Sequence, residues 1–140
     1  MNSGGQPSRR SQPLVELQSL EELWFQVSGT LCNLSCTHCF ISCNPKNDSF
    51  GFLDLETVRR YLAESRALGV KEYYFTGGEP FLNHDMLPIL DETLQLGPAS
   101  VLTNATVFRG NTIAELRRIT QRSSYSLEIR VSIDGYEAAM

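Results

Sequence analysis

The stretch LWFQVSGTLCNLSCTHCF, residues 23 to 40, joins a strand pattern directly to a cluster of cysteines. In its first six residues, the apolar Leu23, Phe25 and Val27 alternate with Trp24, Gln26 and Ser28. An alternation of period two is typical of a β-strand. The chain has four cysteines, and all of them fall within twelve residues: Cys32, Cys36, Cys39 and Cys43. Ligand sites of parallel α/β folds collect where strands end, so this stretch predicts both a fold and a site.

Alternating strand and helix patterns continue along the rest of the chain. Three further strands are predicted at residues 70–76, 99–104 and 127–134. Three helices are predicted between the strands, over about 55–68, over about 84–96, and from a capping box formed by Thr112 and Glu115. This order implies a parallel sheet with right-handed crossovers. We therefore expect an α/β fold, a partial (βα) barrel with parallel strands.

The fourth strand, LEIRVSID, carries a polar set and an apolar set of residues in strict alternation. The apolar set is predicted to face the helices: Ile129, Val131 and Ile133. The polar set is predicted to face the barrel interior: Glu128, Arg130, Ser132 and Asp134. A purely structural barrel core prefers branched apolar residues, so a polar interior indicates a bound ligand. A half-exposed antiparallel strand with the same alternation is the alternative.

Length and charge limit the classes of function. A chain of 140 residues has room for one domain with a modest core, and its net charge of −4 argues against nucleic acid as a partner. No apolar run approaches the roughly 20 residues of a membrane-spanning helix. Residues 1–20 are predicted to be a flexible tail and 21–140 a single domain. No signal peptide is evident, so a cytoplasmic location is expected, where clustered thiols favour metal binding over disulfides.

The CxxxCxxC spacing lets one short loop place three thiolates around a compact metal centre. Iron–sulfur clusters usually take four protein thiolates, so three would leave one iron open to a small molecule. Zinc is an alternative, with Cys43 or His38 completing a closed tetrahedral site. A redox pair formed by Cys36 and Cys39 is a further alternative.

A second motif, FTGGEPF at residues 75–81, ends the second predicted strand. Gly77 and Gly78 carry no Cβ and so would allow a ligand to approach the backbone. The Glu79 carboxylate suits a primary ammonium group, and Pro80 stops the strand. An isolated Gly-Gly pair is typical of an ordinary turn. The pair becomes informative because it falls at the same end of the sheet as the cysteines.

With both motifs in this order and separation, the sequence resembles radical S-adenosylmethionine (radical SAM) enzymes. That family is marked by CxxxCxxC after its first strand and by Gly-Gly-Glu at the end of its second. TNAT at 103–106 and VSIDG at 131–135 also resemble the ends of its third and fourth strands. The match runs from about residue 23 to the C-terminus.

The resemblance implies two cofactors, a 4Fe–4S cluster and S-adenosylmethionine. The implied cluster ligands are Cys32, Cys36 and Cys39. The implied contacts to S-adenosylmethionine are Gly77, Gly78, Glu79 and Pro80 near the ammonium, Thr103, Asn104 and Ser132 near the ribose and carboxylate, and His38 near the adenine. The implied reaction is reductive cleavage to a 5′-deoxyadenosyl radical that takes a hydrogen atom from a substrate.

The resemblance also implies an electron donor such as a flavodoxin or ferredoxin, and an unknown peptide or small-molecule substrate. A non-catalytic zinc or iron–sulfur binding module is the alternative class of function. Ala105 stands where relatives commonly have glycine, and Cys43 lies outside the motif as either an inert residue or part of a further site. The family core has about six βα units, whereas this chain carries about three and a half. We therefore expect the chain to be truncated after the fourth strand or to be part of a larger enzyme.

Overall fold

Parallel strands alternate with helices throughout the part of the chain that the computed structural model describes, residues 15–134. The strands are β1 (Glu22–Gln26), β2 (Glu72–Thr76), β3 (Ala99–Thr103) and β4 (Leu127–Val131). The α-helices are α1 (Leu55–Leu68), α2 (Met86–Thr93) and α3 (Gly110–Arg122). A short 3-10 helix, Pro80–Leu82, follows β2. Residues 15–20 have no secondary structure, and the rest of the predicted tail lies outside the described residues.

The strands lie side by side in chain order, β1-β2-β3-β4, and every neighbouring pair is parallel. The predicted parallel α/β architecture is therefore confirmed. Because the strands run in one direction, their carboxyl ends meet along one edge of the sheet, and this edge carries both sequence motifs. No described helix has the length and apolar character needed to cross a membrane.

Two of the helices begin differently from their predictions. The first helix matches, because the Asp54 side chain accepts a hydrogen bond of 2.7 Å from the Thr57 amide and caps its start. Helix α2 is shorter than the predicted 84–96. The capping box predicted for α3 is wrong: the helix starts at Gly110, so Thr112 already lies inside its first turn. Glu115 pairs instead with Arg118 on the helix surface.

One face of the sheet packs against the helices and forms the core. The fully buried residues at its centre are Phe75 and Val101 from the strands, Val27 directly after β1, and Val58, Ile89, Leu90 and Ile119 from the helices. Of the apolar set predicted on β4, Ile129 packs against this core. Val131 is 47% exposed and Ile133 is 77% exposed, because no helix within residues 15–134 covers that end of β4.

The opposite face of the sheet is polar and aromatic. Trp24 on β1 stacks on Tyr74 of β2, with ring centroids 4.3 Å apart, and the Arg130 guanidinium lies over the same tyrosine. Glu128 accepts hydrogen bonds from Arg130 and from the Ser100 hydroxyl. The polar side chains of β4 therefore lie on the face predicted to become the barrel interior.

Candidate functional site

The cysteine loop leaves β1 and is folded back on itself above the carboxyl end of the sheet. Leu31 and Asn44 form an isolated parallel bridge, and the Cys32 amide donates to the Asn44 carbonyl at 3.3 Å. The far end of the loop is held as well, because the Phe50 amide donates a hydrogen bond of 3.2 Å to the Thr30 hydroxyl. Bonds that span up to 20 residues thus hold the loop at both ends, so its path is defined by the chain itself.

The three motif cysteines differ in exposure and in hydrogen bonding. All are free thiols; Cys32 is buried, Cys39 is half-buried and Cys36 is exposed. The Leu34 amide donates to the Cys32 sulfur at 3.5 Å, and the Cys43 amide donates to the Cys39 sulfur at 3.3 Å. Donors of this kind orient and stabilise ligating thiolates in metal centres.

The described residues contain no preformed cage for a single metal ion. Within residues 15–134, no three His, Cys, Asp or Glu side chains are arranged closely enough to hold one ion. The arrangement of the side chains therefore does not by itself distinguish an iron–sulfur cluster from a zinc ion. It depends on the order of the thiols along the loop and on the family to which the chain belongs.

Cys43 has a different environment from the thiols of the motif. It is only 5% exposed, and burial, followed by the neighbouring Cys39, raises its pKa to about 11. The thiol is therefore neutral at pH 7. Burial also raises the pKa of Cys32, but there the Leu34 amide opposes the shift by stabilising the thiolate. An added electropositive group would be needed to deprotonate either thiol.

The glycine pair allows the cysteine loop to pack directly on the end of β2. A Cβ atom on Gly78 would lie 1.9 Å from the Leu31 carbonyl oxygen and 2.8 Å from the Cβ of Cys32. A Cβ atom on Gly77, which has a φ of 134°, would lie 2.4 Å from the Ser28 hydroxyl oxygen. The sequence suggested that the glycines make room for a ligand. In the structure that room is filled by the chain's own backbone.

The backbone around this pair is only partly used by the fold. The Gly78 amide donates to the Gly29 carbonyl and the Glu79 amide donates to the Leu31 carbonyl, each at 3.1 Å. No hydrogen bond within residues 15–134 ends on the carbonyl oxygen of Gly77 or Gly78. Both glycines are partly exposed, and we treat these two oxygens as candidate acceptors for an external donor.

Glu79 is fully buried, and its carboxylate faces the end of β3. One oxygen accepts hydrogen bonds from the Thr103 hydroxyl at 2.7 Å and the Phe81 amide at 3.1 Å. The other oxygen accepts a bond of 2.8 Å from the Asn104 amide. A buried carboxylate with three donors is well compensated for its lost hydration. Glu79 thus joins the ends of two neighbouring strands.

Changing Glu79 to glutamine should destabilise the cluster-free protein. The new NH2 group must face one of the three donors, so at least one buried hydrogen bond is lost and a donor is left unsatisfied. We expect the free energy of unfolding to fall by about 1–3 kcal/mol, measured by urea denaturation. Glu64→Gln is the control, since Glu64 is exposed. Equal stability of the two variants would show that the Glu79 network does not support the fold.

The remaining predicted residues lie along the same edge of the sheet. The Ser132 amide donates to the Thr103 carbonyl at 3.0 Å, which places Ser132 beside β3. His38 Nε2 lies 3.4 Å from Asp134 Oδ1, so the cysteine loop reaches across to the end of β4. Pro80 is buried and opens the 3-10 helix. The structure therefore brings all the predicted residues to one end of the sheet, although their roles stay predictions.

The turn after β3 is formed despite the alanine in it. Ala105 adopts a φ of 56°, the left-handed conformation that glycine enters freely. An alanine in this region costs roughly 1–2 kcal/mol. The turn is supported by Asn104, whose side-chain oxygen accepts a 3.0 Å hydrogen bond from the Thr106 amide.

Sequence reasoning missed two asparagines that support the site. Asn33, inside the cysteine motif, donates from its side chain to the Thr106 hydroxyl at 2.7 Å. The Asn83 side chain donates to the carbonyls of Val27 and Leu53, both at 2.8 Å, and so ties the segment after β2 to both ends of the cysteine loop. The only signal for Asn33 was its position between two predicted ligands, and Asn83 gave none.

Comparison with known proteins identifies the family. The model of the radical SAM superfamily matches residues 27–134, which include both motifs and the whole of β2, β3 and β4. The chain belongs to the radical SAM superfamily. Members of this superfamily bind a 4Fe–4S cluster and S-adenosylmethionine, so the cofactors expected from the motifs are confirmed at the level of the family.

Several radical SAM relatives carry the same name. The chain is 32% identical over 108 residues to the GTP 3′,8-cyclase of Synechococcus sp. (strain CC9902), covering 77% of this chain and 30% of that protein. It is 29% identical over 132 residues to the GTP 3′,8-cyclase of Pasteurella multocida (strain Pm70), covering 93% of this chain and 38% of that protein. The chain thus spans about a third of the length of these curated relatives.

A solved structure supports the same fold. The crystal structure of BtrN in an open conformation superposes with a TM-score of 0.57 at 16% identity, covering 81% of this chain and 58% of that one. Together with the parallel four-stranded sheet, this likeness confirms the α/β fold and agrees with a partial barrel.

Proposed function

We propose that this chain forms the part of a radical SAM enzyme that binds the cluster and S-adenosylmethionine. The observation that carries the proposal is the direct packing of the CxxxCxxC loop on the Gly-Gly-Glu end of β2, with Cys32 and Gly78 in contact. A reduced cluster held there would supply the electron for cleavage of S-adenosylmethionine to methionine and a 5′-deoxyadenosyl radical. That radical would then abstract hydrogen from a substrate.

The donor set suits such a cluster. Cys32, Cys36 and Cys39 would hold three of the irons, and thiolates are the usual protein ligands of iron–sulfur clusters. Amide N–H groups already point at two of these sulfurs, and such donors orient ligating thiolates. Cys43 lies outside the motif and is buried, so we assign it to packing and leave the fourth coordination position to S-adenosylmethionine.

The groups around Gly77 and Gly78 suit the ammonium of S-adenosylmethionine. An ammonium is a donor only and needs acceptors, and the two unused glycine carbonyls provide them. Glu79 was the predicted contact, and it has one acceptor position left on the oxygen that faces Asn104. We infer that Glu79 favours the cation mainly as a nearby negative charge while it holds the two strand ends together.

The other predicted contacts fall into two groups. Ser132 and His38 have exposed side chains at the mouth of the site, so we assign them to the ribose and the adenine respectively. Thr103 is buried and its hydroxyl is bonded to Glu79, and the Asn104 amide is bonded within the chain. We assign these two residues to holding the ends of β2 and β3 in place around the site.

We further propose that the substrate of the longer protein is GTP or a closely related nucleotide. The support is the name shared by the relatives, GTP 3′,8-cyclase, although the chain covers only about a third of each. A peptide substrate is the competing proposal, on which the described residues offer no evidence. We also propose a cytoplasmic location. We propose a flavodoxin or ferredoxin as the electron donor, because the cluster must be reduced in each cycle.

Anaerobic reconstitution with iron and sulfide tests the cofactor assignment. We expect about four irons per chain, because three thiolates and an open position suit a 4Fe–4S cluster. The absorption and electron paramagnetic resonance spectra should change when S-adenosylmethionine is added. S-adenosylhomocysteine, which lacks the sulfonium methyl group and its charge, is the matched control ligand.

Two outcomes of the reconstitution would contradict the cofactor assignment. Stoichiometric zinc retained by four thiolates, with no iron taken up under the same conditions, would favour the non-catalytic zinc module. A cluster whose spectrum does not respond to S-adenosylmethionine would favour an iron–sulfur module without catalysis.

A further inference from the structure

The side chain of Asn104 connects the end of β3 to the cysteine loop. Its Nδ2 atom lies 3.0 Å from the Asn33 side-chain oxygen and 3.7 Å from the sulfur of Cys32. A primary amide carries two N–H groups, so both contacts are made at once. Asn104, in the turn directly after β3, thus contacts one of the three proposed cluster ligands.

The orientation of this amide is determined by its neighbours. The Asn104 oxygen accepts hydrogen bonds from the Thr106 amide at 3.0 Å and the Thr106 hydroxyl at 2.6 Å. That hydroxyl accepts in turn from the Asn33 side chain at 2.7 Å. Asn33, Asn104 and Thr106 therefore form a closed ring in which every polar atom has one consistent role. In this ring only the NH2 group of Asn104 can face Cys32.

The environment of Cys32 makes this contact consequential. Cys32 is the most buried of the three motif cysteines, with 8% of its surface exposed. Solvent therefore does little to stabilise charge on its sulfur, and hydrogen-bond donors replace that solvation. The sulfur has two donors within the described residues, the Leu34 amide and the Asn104 side chain. Only the second can be removed by substitution without changing the backbone.

We propose that Asn104 is a positioning residue that sets the reduction potential of the cluster through its N–H group on the Cys32 sulfur. The inference rests on the proposed function, because it requires a cluster on Cys32, Cys36 and Cys39. Hydrogen bonds to cluster sulfurs stabilise the added electron and raise the reduction potential. Asn104 therefore makes the cluster easier to reduce by the electron donor.

Two substitutions at this position separate the donor from the rest of the side chain. Asn104→Asp keeps the oxygen that accepts from Thr106 and replaces the NH2 group by a charged oxygen. Asn104→Ala removes the whole amide but keeps the backbone bond to Glu79. Asn47→Ala is the matched control, since the Asn47 amide donates to the Ser42 carbonyl and contacts no sulfur.

The measurement is an anaerobic redox titration of the reconstituted variants, followed by the electron paramagnetic resonance signal of the reduced cluster. We expect a lower reduction potential for Asn104→Ala than for the parent, and a still lower one for Asn104→Asp. Asn47→Ala should match the parent. A structural role alone would change iron content or stability and leave the potential of the loaded fraction where it was.

The outcomes distinguish this inference from the proposed function. If the parent takes up zinc and no iron, both fail. If the parent holds a cluster and the potential of Asn104→Ala is unchanged or higher, only the inference is overturned. Should Asn104→Ala lose its iron, Asn33→Ala provides the second test, because it frees the Asn104 amide from its partner in the ring. An unchanged potential in both Asn33→Ala and Asn104→Asp would then overturn the inference.

Discussion

Single replacement of Cys32, Cys36 or Cys39 by alanine should abolish retention of iron after reconstitution, whereas Cys43→Ala should keep nearly all of it. A cluster held by only three protein thiolates has no spare ligand, so the loss of any one should release it. Cys43 lies outside the CxxxCxxC motif and is 5% exposed, so we do not count it among the ligands. Iron and sulfide analysis on gel-filtered samples measures the difference.

The Cys43 variant is the internal control for these three substitutions. Truncating a buried thiol to a methyl group leaves a small cavity, so a modest loss of stability is expected. A large loss of iron in all four variants would favour a site with four thiolates, closed to S-adenosylmethionine. Circular dichroism of each cluster-free variant separates loss of the cluster from loss of the fold.

Gly78→Ala should have the second large effect, acting on stability and on the cluster together. The added methyl group would lie 1.9 Å from the Leu31 carbonyl oxygen. No change of side-chain rotamer can relieve this clash, because the positions of a Cβ atom and of a carbonyl oxygen are both determined by the backbone. The cysteine loop must therefore move away from β2. We expect a loss of roughly 3 kcal/mol or more, at or above the usual cost of overpacking. The melting temperature should fall by about 10 °C or more.

Gly110→Ala is the matched control for this substitution. Its added methyl group would have no heavy atom within 4 Å, and Gly110 is the first residue of α3. Alanine is the better helix former, so the stability should stay the same or rise slightly. If Gly78→Ala is as stable as this control and retains the cluster, the close packing of the cysteine loop on β2 is not required for the site.

The strands and the site's location were predictable from sequence because their signals are local. Period-2 alternation marked the first and fourth strands, and the order of strands and helices then placed both motifs at one end of the sheet. The start of α3 was not predictable in this way. A capping box at Thr112 is a valid local signal, but the helix begins two residues before it and buries Leu116 and Ile119 against the core. Tertiary packing outweighed the cap.

The detailed roles of the motif residues depend on contacts that no local pattern encodes. Glu79 finds two of its three partners at the end of β3 and directly after it, 24 and 25 residues further along the chain. The neighbours of Gly78 come from the loop after β1, more than 40 residues earlier. In both cases the residue type correctly indicated a special position. Only the folded chain shows that the special position serves the packing of strand ends.

The way the cysteine loop is held has a consequence for the entropy of cofactor loading. The bridge between Leu31 and Asn44 and the bonds of Thr30 to Phe50 order the loop before any cluster is present. Fixing the backbone of one residue costs about 1–2 kcal/mol of conformational entropy. In this loop that cost is incurred when the chain folds. Cluster insertion would then mainly reposition the cysteine side chains, because no three ligand side chains within residues 15–134 form a ready cage. We therefore expect slow amide hydrogen exchange in this loop when the protein is free of the cluster.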